Sequence, residues 1–100
     1  MTIQREIATW ARETFPNAAL IDVYDKFEDE LDELYEAVWA QDDPVMVGRE
    51  LADVAILLYQ IANRYCIDLD GEIASKLAVN RARTWTPVGD GTYQHEEAAS

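Results

Sequence analysis

The chain has 100 residues, 49% of them apolar, and a formal charge of −12 from 20 acidic against 8 basic residues. That is room for one domain with a small core, enough apolar content to fold, and too little basic surface to grip a nucleic-acid polymer. The single cysteine, Cys66, excludes an intrachain disulfide, suits a reducing compartment, and is expected as a small buried hydrophobe.

The opening Met-Thr-Ile-Gln-Arg-Glu has no apolar signal core. The longest apolar run, Val54 to Tyr59, falls far short of the ~20 residues of a membrane span, so a cytoplasmic protein is expected. Thr2 is a candidate N-cap, and Ile3, Ile7, Trp10 and Ala11 form a short helical stripe ending near Phe15-Pro16-Asn17. Residues 16–21 read as a connector. Asp22 or a neighbour caps a second helix running to about Gln41, with Val23, Phe27, Leu31, Leu34 and Val38 as its apolar face. Asp25, Glu28, Asp29, Asp32 and Glu36 fall on the opposite side, as a solvated face.

Asp43 as N-cap and Pro44 at the first helical position start a third helix over about 44–66. Its stripe of Val47, Leu51, Val54, Leu58, Ile61 and Tyr65 is joined by Ala52, Ala55, Ile56, Leu57 and Ala62 on the other faces. A helix apolar nearly all round is central or lies in a subunit interface. Asp68 or Asp70 opens a fourth helix carrying Ile73, Leu77 and Ala78, which ends near Thr84 and is terminated by Thr86-Pro87. Val88 to Tyr93 reads as a turn or short hairpin, and 95–100 as a disordered polar end. The expected architecture is all-α: four helices in a domain over 1–87, then a turn and tail over 88–100.

One pattern occurs twice. Phe27-x-x-Glu30-Leu31-x-Glu33-Leu34-x-x-x-Val38 is echoed by Val47-x-x-Glu50-Leu51-x-Asp53-Val54-x-x-x-Leu58. Acids three apart share a helix face; Glu30 should sit roughly 60° and Glu33 about 120° off the centre of the stripe, with Glu50 and Asp53 likewise beside theirs. Two antiparallel helices could point all four into one cleft, where Mg²⁺ accepts carboxylate oxygens and a substrate phosphate. The alternative is buried acids paired with Lys26, Arg64, Lys76 or Arg83.

A di-iron bundle is excluded because the only histidine, His95, is near the end of the chain. Asp68-Leu69-Asp70-Gly71 lacks the glycine and glutamate spacing of a calcium loop and reads as a helix start. Lys76, Asn80 and Arg83 share one face of the fourth helix and could grip a triphosphate and a sugar hydroxyl, or pair with acids. Trp10, Trp39 and Trp85 belong in a core or interface, while Trp10, Phe15 or Tyr24 could stack on a base.

With these motifs in order, the chain resembles the MazG-like all-α nucleotide pyrophosphohydrolases. Glu30-x-x-Glu33 followed by Glu50-x-x-Asp53 is similar to their E-x-x-E, spacer, E-x-x-D hallmark. Lys26 to Leu34 resembles their K-x-x-E-E-x-x-E-L segment, with Asp29 in place of the first glutamate. Lys76 to Trp85 resembles K-x-x-x-N-x-x-R-x-W. The likeness covers about residues 3–85 and is strongest to a small phage and bacterial branch associated with purine deoxynucleoside triphosphates.

The resemblance implies an oligomeric bundle, a homodimer or homotetramer. It implies Mg²⁺-dependent cleavage of a nucleoside triphosphate, such as dATP or dGTP, between the α and β phosphates, with Mn²⁺ able to substitute. Glu30, Glu33, Glu50 and Asp53 would hold the metals. Glu33 and Glu50 are the expected catalytic carboxylates, Glu33 receiving the proton of the water that attacks the α phosphorus. Lys26, Lys76, Asn80, Arg83 and Trp10 would bind substrate. The competing readings are a non-enzymatic acidic interaction protein such as a DNA mimic, and a structural helical oligomer with paired acids.

Overall fold

The computed structural model describes residues 2–96. Among them are four α-helices: α1 (Ile3–Thr14), α2 (Leu20–Glu36), α3 (Pro44–Arg64) and α4 (Leu69–Ala82). Two short strands follow, β1 (Trp85–Pro87) and β2 (Tyr93–His95). No helix among the described residues is long and apolar enough to cross a membrane. The chain forms two compact units, one reaching to Leu69 and one starting at Asp70.

In the first unit the expected start signals act as the chemistry requires. The Thr2 hydroxyl accepts from the Arg5 amide at 3.3 Å, and the Asp43 carboxylate accepts from the Val45 amide at 3.1 Å with Pro44 just behind it. At α2 the N-cap position is Ala19, which has no capping atom; Asp22, three residues inside, accepts from the Ala19 amide at 3.0 Å instead.

The last turn of α2 widens into a π-helical segment, Ala37–Gln41. The Asp42 amide reaches back to the Ala37 carbonyl at 2.9 Å, and Asp42 itself is left-handed (φ 48°). The chain then reverses within two residues, so α3 returns antiparallel along α2. At the other end of α3, Ile67 N–H bonds the Ala62 carbonyl and Cys66 N–H the Asn63 carbonyl, with Cys66 at φ 55°. This is a Schellman closure. It corrects the expectation for Cys66: the left-handed residue of a helix stop projects outward, and the thiol is exposed.

The core is small: Ile7 from α1, Val23 and Ala37 from α2 and its π turn, and Val54, Leu57 and Ala62 from α3 are buried. Gln4 ties α1 to the end of α3, donating to the Asn63 side chain at 2.9 Å and the Ile67 carbonyl at 2.7 Å, and accepting from the Leu69 amide at 3.1 Å. The packed line of α2 runs Val23, Phe27, Glu30, Leu34, Ala37, rotated from the line the apolar pattern suggests. Leu31 and Val38 are left exposed, as are Leu51, Leu58 and Tyr65 on α3. Trp10, Trp39 and Trp85 are all exposed in the chain, so none is a core residue. The five acids expected on the outer face of α2 are exposed.

In the second unit, β1 and β2 pair antiparallel, with Trp85 opposite His95 and Pro87 opposite Tyr93. The turn between them uses Gly89 and Gly91 at φ 94° and 91°, and Asp90 accepts from the Thr92 amide and hydroxyl. The expected disordered end at 95–100 is corrected at its first two residues: His95 is in β2, and the Glu96 amide bonds the Thr84 carbonyl at 2.8 Å. The rest of that expectation lies outside the described residues.

Gly48 is an exposed interior residue of α3 with nothing within 4 Å of an added Cβ. Gly48→Ala should raise the unfolding free energy by about 0.5–1 kcal/mol, read by urea denaturation of the metal-free protein.

Candidate active site

Glu30 and Asp53 lie equally far along the chain from the 41–42 bond, where the two-residue turn at 42–43 begins, and so do Glu33 and Glu50. An antiparallel helix pair with a tight turn brings such positions opposite one another. Carboxylate oxygens of Glu30, Glu50 and Asp53 all lie within 4.8 Å of one another. Glu30 is only 6% exposed, at the centre of the α2–α3 contact rather than beside it, which corrects the 60° offset expected from the apolar stripe. Glu50 is half-buried and Asp53 exposed.

Lys26, one turn earlier on α2, bonds Glu30 Oε1 at 3.0 Å. The hydrogen bond from Lys26 holds the Glu30 carboxyl below the usual range, against the opposing effect of burial. The same hydrogen bond and the Glu30 charge raise Lys26. The Glu33 carboxylate stands outside the close trio but adjoins it. A hydrogen bond shared with Glu30 pushes its pKa up first, then the negative charge of Glu30, desolvation and the charge of Glu50.

Glu30 Oε2 and Glu50 Oε2 are buried, and neither has a hydrogen-bond partner among the described residues. Pairing with a cation therefore reaches one oxygen of Glu30 and leaves the rest of the cluster uncompensated. Acceptor oxygens from three carboxylates, with a buried unpartnered oxygen on each of two of them, at mutual distances one ion can bridge, fit a hard divalent cation. Lysine pairing answers only part of the charge.

The acids close one end of a cleft of about 290 Å³. Lys26, Glu30 and Asp53 line it, and so do Trp10 and Phe15. The two rings meet edge to face, with centroids 5.3 Å apart and planes at 87°. Val23, Ile56 and Leu57 form the apolar wall, and Asp22 and Gln60 also reach the cleft. Of the residues expected at the site, Trp10, Lys26, Glu30 and Asp53 thus share one cleft, with Glu50 bound to them through the cluster. Phe15 was one of three candidate stacking residues; Gln60 was missed, because a lone glutamine in an apolar helix carries no spacing signal.

Lys76, Asn80 and Arg83 lie on the second unit, where an Arg83 guanidinium nitrogen bonds the Asn80 amide oxygen at 3.4 Å and the Trp85 indole donates to the Asn80 carbonyl at 2.8 Å. Arg64, one of the cations weighed as an acid partner, donates to the Ala18 carbonyl.

An acid cluster on a helical hairpin, opening into an aromatic-lined cleft, defines a helical enzyme of metal-assisted phosphate chemistry. No family model matches the chain. It is 39% identical over 93 residues to a dATP/dGTP diphosphohydrolase of Salmonella phage PMBT28, spanning 93% of this chain and 30% of that protein. It is 34% identical over 93 residues to a dATP/dGTP diphosphohydrolase of Cyanophage S-2L, spanning 93% of this chain and 84% of that protein. The fold matches that of the Cyanophage S-2L MazG-like pyrophosphohydrolase bound to dGDP and three catalytic Mn²⁺ ions per active site. The TM-score is 0.73 and the identity 33%, over 96% of this chain and 91% of the other. The chain belongs to the dATP/dGTP diphosphohydrolase family of MazG-like pyrophosphohydrolases.

The cluster gives a direct test. Mg²⁺ at a hundredfold its Kd should stabilise the fold by about 2.7 kcal/mol, read as a rise in Tm over the protein in chelator. Glu50→Gln should remove that increment while leaving stability in chelator unchanged or raised by about 1 kcal/mol, since it neutralises a half-buried acid with one buried, unpartnered oxygen.

Proposed function

We propose that the chain hydrolyses purine deoxynucleoside triphosphates, dATP or dGTP, to the monophosphate and pyrophosphate. The observation that carries this is the cleft that joins a stacking wall to a carboxylate cluster within one helical unit. Base and triphosphate need those two surfaces a nucleoside apart.

Glu30, Glu50 and Asp53 would hold Mg²⁺ or Mn²⁺, which when bound neutralises triphosphate charge and makes water a better nucleophile at neutral pH. Water attacks the α phosphorus, the bond from that phosphorus to the α–β bridging oxygen breaks, and pyrophosphate leaves. Glu33, exposed beside Glu30 but outside the trio, receives the proton of the attacking water. Lys26 keeps Glu30 ionised and presents its remaining charge to phosphate. Lys76 and Asn80 on α4, and Arg83 just beyond its end at Ala82 rather than on the helix face that the spacing suggested, would supply the further donors for the phosphates and sugar. This assignment makes 1–87 the catalytic domain and 88–100 an extension.

A homodimer or homotetramer is part of the proposal. Leu31, Tyr35 and Val38 on α2 and its π turn, and Leu51, Leu58 and Tyr65 on α3, are apolar stripes that the single chain leaves exposed. A cytoplasmic setting suits the exposed free thiol. An acidic interaction module or a DNA mimic needs its charge outside and gives no reason to bury Glu30.

Pyrophosphate release from a panel of ribo- and deoxynucleoside triphosphates with Mg²⁺ tests the reading. Wild type should cleave dATP or dGTP, and Glu50→Gln should lose at least a hundredfold in kcat/KM with its fold retained by circular dichroism. Absence of release from folded, metal-loaded wild type would overturn the hydrolase. Trp10→Ala should raise KM by about tenfold, the range expected for loss of one base–aromatic stack, with a smaller change in kcat.

A further inference from the structure

We infer that Gln60 is the residue that reads the purine edge, and that its single carboxamide lets one cleft accept both adenine and guanine. The inference rests on the hydrolase reading and deepens it.

The cleft holds charged groups at its acid end and apolar groups along its wall, and Gln60 is its one neutral side chain that can both donate and accept a hydrogen bond, the Trp10 indole being a donor only. Gln60 lies on α3, seven residues beyond the cluster acid Asp53. Seven helical residues advance about 10.5 Å and return to within about 20° of the same face. Asp53 and Gln60 therefore stand on one line, two turns apart, a separation close to the reach of a nucleoside from its 5′ oxygen to the far edge of its base. Trp10, Phe15, Ile56 and Leu57 flank that interval.

Gln60 is half-buried, and among the described residues its carboxamide makes no hydrogen bond. Asp22, the other polar side chain of the cleft away from the cluster, already has one carboxylate oxygen engaged by the Ala19 amide. With no protein partner among the described residues, the half-buried amide is free to bond a ligand that enters the cleft.

The chemistry of the amide matches the two purines. Adenine presents an N6–H donor beside the N1 acceptor. Guanine presents the O6 acceptor beside the N1–H donor, the same pair in reverse order. A glutamine carries one acceptor and one donor group side by side, and a half-turn about its last bond exchanges them. One residue thus satisfies either base without a second pocket. Pyrimidines carry similar pairs on a shorter base, so their edges stop short of Gln60.

The test compares kcat/KM for dATP, dGTP and the deoxynucleoside triphosphate of unsubstituted purine, which lacks the N6 amine. Gln60→Glu offers acceptors only. These suit the N1–H and N2–H donors of guanine and oppose N1 of adenine, so the dGTP-to-dATP ratio should rise at least tenfold. The two substrates carry equal charge, so the added acid does not set that ratio. Gln60→Met keeps the side chain's shape without its hydrogen bonds, and should erase the wild-type preference for dATP over unsubstituted purine, expected at tenfold or more. A wild type that cleaves dATP and dGTP, with both ratios unmoved within twofold in the folded variants, overturns the assignment of Gln60 and leaves the hydrolase intact. If only Gln60→Met folds, its ratio alone decides. A wild type that cleaves neither substrate overturns the hydrolase, and this inference with it.

Discussion

Crowding of carboxylates where α2 meets α3 is the constraint on which the rest of the site depends. Glu30 occupies a core position between Val23, Phe27, Leu34 and Ala37, and a hydrocarbon side chain there would pack without cost. Instead the helix buries an acid, engages one oxygen with Lys26, and leaves the other without a protein donor. Glu50, half-buried on the facing helix, likewise has one buried oxygen without a protein partner among the described residues. Burying a charge that is only half compensated destabilises a fold unless something else completes the compensation. The same crowding raises the Glu33 carboxyl, through its hydrogen bond with Glu30 first and then the charge of Glu30.

The geometry around that cluster is built from simple parts. A turn of two residues at 42–43 makes α3 retrace α2, so acids placed symmetrically about the turn meet by construction. The π segment Ala37–Gln41 and the left-handed Asp42 complete the reversal at the end of α2. α1 then lies against α3, tied at the far end by Gln4, and brings Trp10 and Phe15 over the apolar stretch of α3 beyond Asp53. Three helices thereby give one cleft a charged end and an aromatic end. A nucleotide has the same division between phosphates and base.

The core of a single chain is slight: among the described residues no large side chain is fully buried, and many large apolar residues are exposed. The proposed oligomer would gain most by burying the exposed stripes on α2 and α3. The packed face of α2 is rotated toward Glu30. The side carrying the acid faces α3, and Leu31 and Val38 turn outward.

Much of the fold was legible along the chain because it rests on local chemistry. Helix starts at Thr2 and Asp43-Pro44, the stop after Phe15, the outward face of α2 and the hairpin near residue 90 all depend on neighbours a few residues away. The acids could be named because their three-residue spacing is repeated in two helices. Local pattern could not decide which way each helix turns its mixed faces, since apolar residues that pack within the chain and those that remain exposed look alike in a heptad-like stripe; hence Glu30 lies deeper, and Leu51 and Leu58 shallower, than the stripes suggest. Nor could it place Cys66, whose exposure follows from the left-handed stop of α3, or bring Trp10, Phe15 and Gln60 to one cleft. The sequence by itself determined the helices, their ends and the pairing of acids about one turn. Only the tertiary structure decided which carboxylates are buried without partners and which side chains share a cleft with them, because burial and proximity across helices are set by packing between segments far apart in the chain.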